Sequence, residues 1–224
     1  MEQINEQLKK YIDENVLPQY DLNNIGGHGI QHIQTVIARS FELAEEFELD
    51  VNPDMVYTIA AFHDIGYKIN ADEHEEVSSQ MFKNDAEIIK FFTQEQIDII
   101  AEAIVDHRAS LEYEARSIYG KLVSSADREI SVENMLERSI LFQAHKHKSE
   151  NPTVRQVIDY SYKKLFSKYG KEGYAKMYFP DKKYLDYLSK MQEILEDKEK
   201  FTQAEYNIMS FKLRKAQMLD EIFS

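Results

Sequence analysis

The sequence predicts an all-α protein, and three observations carry that expectation. The 224 residues include only seven glycines and four prolines, so chain breakers are few. Runs that alternate apolar and polar residues between turn signals are scarce. Apolar residues recur at three-to-four spacing, and capping signals punctuate them along most of the chain. The length suits one large domain, or a domain with an appended subdomain.

The first helix is expected over residues 2–17, where Ile4, Leu8, Tyr11, Ile12 and Val16 approximate one face and Pro18 follows. Residues 19–29 read as a loop, with Gly26-Gly27 as breakers and His28 near its end. The second helix, about 29–48, carries the stripe Ile33, Val36, Ile37, Phe41, Ala44 and Phe47, with His32 on or beside it. Asn52-Pro53 supplies a cap and a first-turn proline for a third helix. That helix runs through Met55-Val56-Tyr57-Thr58-Ile59-Ala60-Ala61-Phe62 into His63-Asp64, where Gly66 can break it.

Asp72 is positioned to cap a helix over 73–84, and Thr93-Gln94-Glu95-Gln96 has capping-box form for the next. The face of that next helix is Ile97, Ile100, Ala101 and Ile104, and His107 lies at its end. A further helix with Ile118, Leu122, Val123, Ser125 and Ala126 delivers Asp127-Arg128. Helices follow at about 132–147 and 153–169, the latter opened by Asn151-Pro152. Asp181 is expected to cap a helix to about Lys198, and Thr202-Gln203-Ala204-Glu205 to open the last one. The boundary is drawn near Ser149-Glu150-Asn151-Pro152, giving a core of residues 1–149 and a helical subdomain or lid of residues 150–224.

Charge supports that division. The formal net charge is −13; residues 150–224 hold fourteen basic and twelve acidic residues, leaving thirteen basic and twenty-eight acidic residues in 1–149. An acidic body of that kind argues against a nucleic-acid polymer as partner, which needs a basic footprint. There is no cysteine, so disulfides and thiolate metal sites are excluded. A metal must be held by His, Asp, Glu, carbonyls or water, which points to harder or borderline ions. No leader is evident at Met1-Glu2-Gln3-Ile4-Asn5 and no apolar run is long enough to span a bilayer, so a soluble cytoplasmic protein is expected. The sequence is compatible with a homodimer.

Chemistry concentrates in a few polar residues set in apolar helical context. Burying His63 and Asp64 together is costly unless the pair is satisfied, by an imidazole–carboxylate hydrogen bond or by a shared metal ion. His32 and Asp127 stand in comparable surroundings, and two imidazoles with two carboxylates leave positions open on an octahedral ion. His145 and His147 are two residues apart on a helix and do not share a face, so they read as a solvated helix end. The aromatic residues between Tyr160 and Tyr187 read as subdomain core or as a packed lid.

Three motifs in order carry a resemblance: Gly27-His28-Gly29-Ile30-Gln31-His32, then Phe62-His63-Asp64-Ile65-Gly66-Tyr67, then Leu122-Val123-Ser124-Ser125-Ala126-Asp127-Arg128. This His…His-Asp…Asp pattern resembles the HD-domain superfamily of metal-dependent phosphohydrolases over roughly residues 20–130. The resemblance implies an HD-domain helical bundle. It implies that His32, His63, Asp64 and Asp127 hold one divalent ion, of manganese, magnesium, iron, cobalt or nickel. It also implies hydrolysis of a phosphoester or phosphoanhydride of a small phosphorylated substrate, commonly a nucleotide. In the first motif the family's ligand is the second histidine, which leaves His28 substrate-facing or structural.

His74 and His107 are expected to transfer a proton, contact phosphate or hold a weak second ion, and Lys68 and Arg128 to clamp phosphates. Some nucleotidases of the family carry an acidic residue soon after the HD pair, where this chain has Tyr67 and Lys68. The acidic pair of members that act on the stringent-response nucleotide is missing as well. A catalytically quiet, metal-dependent nucleotide sensor is the alternative reading.

Overall fold

The computed structural model of the chain describes residues 3–20 and 28–223; most of the loop expected over 19–29, including Gly26-Gly27, lies outside them, as does Glu2. No strand occurs among the described residues. The helices are α1 (Glu6–Tyr11), α2 (Ile30–Glu46), α3 (Pro53–Phe62), α4 (His74–Asn84), α5 (Gln94–Val105), α6 (Ile118–Ala126), α7 (Val132–Lys146), α8 (Val154–Tyr169), α9 (Lys182–Leu195) and α10 (Lys198–Phe223). None of them is long and apolar enough to cross a membrane.

Local signals fix most helix starts. Asn52 Oδ1 accepts from the backbone N–H of Asp54 and Met55 ahead of Pro53, as its cap role requires. Thr93 and Gln96 form a reciprocal capping box at α5. Four expectations are corrected. The first helix begins at Glu6 under an Asn5 cap and continues as a π turn over Ile12–Val16. At α4 the residue before the helix is Glu73, whose side chain makes no cap bond; Asn70 Oδ1 takes the N–H groups of Asp72 and Glu73 instead of an Asp72 cap forming. Thr153, not the preceding Asn-Pro pair, caps α8 through a capping box with Gln156. Thr202 lies inside α10, whose first N–H groups, those of Glu199 and Lys200, are taken by Asp197 Oδ1.

The chain divides into two compact units: residues 1–128 with Lys176–Asp181, and residues 129–175 with 182–224. The division after Arg128 falls earlier than the boundary drawn at 149, because α7 packs on α8 and α10 of the second unit. The polar and turn-forming segment between α6 and α7, closed by the Ser131 cap, lets the chain leave the first unit there.

In the first unit α2 packs on α3 and α6, and α5 packs on α3, α4 and α6. Ile33, Val36, Leu43, Val56, Ile59, Phe62, Phe82, Ile100, Ile104, Leu122 and Val123 are all buried there. Each such side chain contributes roughly 1.5–3 kcal/mol on burial. From Met55 to Phe62 every residue of α3 is buried, which places the end of the helix, at His63-Asp64, inside the core.

The strap Lys176–Asp181 completes this unit. Ser125 Oγ accepts from the N–H groups of Tyr178 and Phe179, and Tyr178 Oη accepts from Ala115 N–H. Asp181 receives both guanidinium nitrogens of Arg39, at 2.7 and 3.1 Å, and both side chains are buried.

The second unit buries a polar chain. Ser161 Oγ lies 2.7 Å from Ser139 Oγ and 3.0 Å from Glu205 Oε1, joining α7, α8 and α10. Burial pushes the Glu205 carboxyl up from 4.5 to about 8, against a smaller opposing pull from the Ser161 hydrogen bond. The folded state therefore holds this proton more tightly than the unfolded chain. Stability is full below about pH 4.5 and falls as pH rises towards about 8. Glu205→Gln keeps the hydrogen-bonding shape without the charge. The melting temperature of the variant is expected to exceed that of the natural protein at pH 8, with the difference closing towards pH 5. The relative slope is on the order of 1 kcal/mol per pH unit, and a difference independent of pH would refute it.

Candidate metal centre

Five histidines and two aspartates converge within the first unit. His63 follows the last residue of α3 and His107 follows α5 by two residues; both donate Nδ1–H backwards, to Ala60 O at 2.8 Å and Ile104 O at 2.6 Å. These carbonyls belong to the last turns of their helices, where no further helical N–H exists to take them. His74, the first residue of α4, makes the same bond to Ala71 O at 3.0 Å. A carbonyl only accepts, so in each neutral ring the hydrogen sits on Nδ1 and the Nε2 lone pair faces the cluster. This is the arrangement that orients metal-binding imidazoles.

Asp64 lies at the centre, 3 % exposed. Its Oδ2 is 3.2 Å from His63 Nε2, 3.5 Å from His32 Nε2 and 2.5 Å from His28 Nδ1. Its Oδ1 is 3.2 Å from His74 Nε2 and 3.5 Å from His107 Nε2. Asp127, just past α6, brings Oδ1 to 3.0 Å from His32 Nε2 and 3.9 Å from His63 Nε2. One carboxylate thus faces two sets of imidazoles through its two oxygens.

These atoms fit a cation. Neighbouring ligand atoms on an octahedral ion at about 2.0–2.1 Å stand about 3 Å apart, close to the separations found. Among the described residues, His32 Nε2, His63 Nε2 and Asp64 Oδ1 are buried with no hydrogen-bond partner. A proton or a cation at these nitrogens would satisfy them together with the carboxylate oxygens they face. His28, His32 and Asp64 form one group able to hold an ion, His32, His63 and Asp127 a second, and Asp64, His74 and His107 a third. In the third group the Nε2 atoms of His74 and His107 are 3.2 Å apart, so two lone pairs meet unless a positive species lies between them. Both rings are nearly buried.

Electrostatics point the same way. Burial alone would raise the Asp64 carboxyl, but the electrostatic pull of His63 and the hydrogen bonds of His107, His28 and His32 outweigh it and hold it well below the usual carboxylate range. Burial likewise opposes ionisation of Asp127, yet His32, His63 and Arg128 keep it low. The His32 imidazole is pulled down by burial and lifted more strongly by the Asp127 and Asp64 carboxylates, to about 9. The cluster attracts positive charge, and the proton on His32 occupies the place that a cation would compete for.

The structure therefore brings His32, His63, Asp64 and Asp127 together, as the sequence suggested, and adds His74 and His107 on the far oxygen of Asp64. The two clamp residues behave differently. Arg128 is buried, and its guanidinium is directed at His107 O, Ser124 Oγ, Lys176 O and Asp127 Oδ2, so it serves this framework instead of a phosphate. Lys68 is exposed and donates to Gln19 O at 2.9 Å.

Two features escaped the sequence reading. Tyr67 stacks on His28 with ring centroids 3.9 Å apart and meets His74 edge-on at 5.5 Å. Asp106, fully buried, binds Arg116 and Tyr113 and so fixes the loop after His107. An aspartate closing the apolar run Ala103-Ile104-Val105 was the signal in the sequence for the second feature. Gly66 has a clear steric cause. A Cβ there would meet Ser78 N at 2.7 Å and His74 O at 2.8 Å, so only glycine lets α4 approach and deliver His74.

The family model described as HD domain matches residues 29–130. No curated protein and no solved structure matches the chain. The matched segment spans α2 to α6, which carry or adjoin every side chain of the cluster except His28, and the match over these residues supports membership of the HD-domain superfamily.

Proposed function

We propose that this chain is a metal-dependent phosphohydrolase acting on a small phosphorylated molecule of the nucleotide class. The observation that supports it most is the placement of Asp64, with Oδ2 among His32 and His63 and Oδ1 among His74 and His107. On this reading His32, His63, Asp64 and Asp127 hold one divalent ion, and Asp64, His74 and His107 offer a place for a second. Bound there, a divalent cation supplies Lewis acidity towards a phosphate oxygen and acidifies water.

The chain's own residues do the rest. The Nδ1–H bonds to Ala60, Ala71 and Ile104 keep three lone pairs aimed inward. Asp64 and Asp127 bring negative charge to the cation side, and the apolar walls of α3 and α5 keep bulk water from its inner face. His28 and His32 are the more open imidazoles, with side chains 19 % and 16 % exposed, so they mark the face on which a substrate would enter.

The test is metal analysis of the purified protein followed by a panel of nucleotides and a chromogenic phosphodiester, each with manganese, magnesium, cobalt and nickel. Metal-dependent release of phosphate or pyrophosphate is expected. Ligand-induced thermal stabilisation without turnover would overturn the enzyme in favour of a sensor. A melting temperature indifferent to chelators would remove both.

A further inference from the structure

We propose that Arg128 is a positioning residue that keeps Asp127 and His107 in register by tying both to the strap Lys176–Asp181. The inference rests on the reading of Asp127 and His107 as metal ligands and adds a residue that acts through them.

The geometry is specific. Asp127 Oδ1 faces His32 and His63, while its other oxygen, Oδ2, lies 3.4 Å from Arg128 Nη1. Nη2 donates to the carbonyl of His107 at 2.9 Å and to Ser124 Oγ at 2.6 Å. Nε–H donates to Lys176 O at 3.2 Å. One planar fork thus meets the idle oxygen of one candidate ligand, the main chain of another and the strap. Arginine suits this task, because its donors are fixed in direction and its charge is permanent.

The strap is itself anchored, so the fork is not free to swing. The backbone N–H groups of Tyr178 and Phe179 donate to Ser125 Oγ, two residues before Asp127 at the end of α6, and Asp181 is held by Arg39 of α2. Lys176 Nζ donates to Tyr113 O in the loop that follows His107. The strap, the α6 end and the α5–α6 loop therefore meet at Arg128, and a shift in any of them moves Asp127 or His107.

Cobalt(II) provides the readout, since its absorption spectrum reports ligand geometry separately from fold. In Arg128→Lys, cobalt affinity is expected to fall about 10- to 100-fold, as for other outer partners of ligands, with a changed spectrum and retained helical circular dichroism. Ser125→Ala loosens the strap without touching Arg128 or any ligand, and a smaller loss in the same direction is expected. In an Asp127→Ala background the Arg128→Lys substitution should cost less than it does alone, because the two act through one contact.

A lowered melting temperature with unchanged cobalt affinity and spectrum in both single variants would overturn the positioning role and leave the metal reading standing. Should Arg128→Lys not fold, unchanged cobalt binding in Ser125→Ala overturns the proposal. Natural protein that binds no cobalt, manganese or nickel would overturn the metal reading and this inference with it.

Discussion

Asp64→Ala is expected to leave a folded helical protein that binds no divalent cation and releases no phosphate. Asp64 belongs to two groups able to hold an ion and meets them through different oxygens, His28 and His32 through Oδ2 and His74 and His107 through Oδ1. Its removal takes one ligand atom from each face and the central negative charge from among five imidazoles. Loss of an outer partner alone commonly costs 10- to 100-fold in affinity, so loss of this carboxylate should exceed about 100-fold. His107→Ala touches only one face and should lower metal stoichiometry while retaining the ion held by His32, His63 and Asp127. Calorimetric titration with manganese, read beside circular dichroism, separates these outcomes. Full activity in Asp64→Ala, or equal binding losses in both variants, would contradict the shared-carboxylate arrangement.

Arg39→Ala is expected to destabilise the first unit by about 3–5 kcal/mol, the usual consequence of removing one partner of a buried ion pair. Arg39 and Asp181 are each 3 % exposed, and their bidentate bond joins residues 142 positions apart. Removing the guanidinium takes the bidentate partner from a buried carboxylate and loosens the end of the strap. The double replacement Arg39→Met with Asp181→Leu removes both charges together, and apolar replacement of such a pair is often neutral or better. Urea denaturation should therefore show a severe single variant and a largely recovered double variant. A single variant within about 1 kcal/mol of the natural protein, the range typical of exposed pairs, would show that the pair is solvated in practice.

The helices were legible because their signals are local. Asn52-Pro53 and the Thr93–Gln96 box act on N–H groups within three residues, and those interactions form in the fold as the sequence implies. Where a competing local partner existed the reading slipped. Asn70 Oδ1 accepted from the N–H groups of Asp72 and Glu73, so the turn before α4 was set from Asn70, and Asp197 opened α10 five residues before Thr202. The division between units was misplaced for another reason. Charge balance changes near residue 150, but packing follows the apolar faces of α7 and α8, which bury Leu136 and Ile140 with Val157 and Ile158 in the second unit.

By itself the sequence determined an all-helical chain and the family motif, and offered His32, His63, Asp64 and Asp127 as the candidate set, because helical period, caps and motif order are written in near neighbours. Only the tertiary structure decided which oxygen of Asp64 faces which imidazoles, that His74 and His107 join it, and that Arg128 is spent on the framework. It also brought Asp181 back to Arg39, across most of the chain. Such pairings depend on how whole helices pack, and a residue's type and spacing do not state which distant partner will meet it once its own helix is buried.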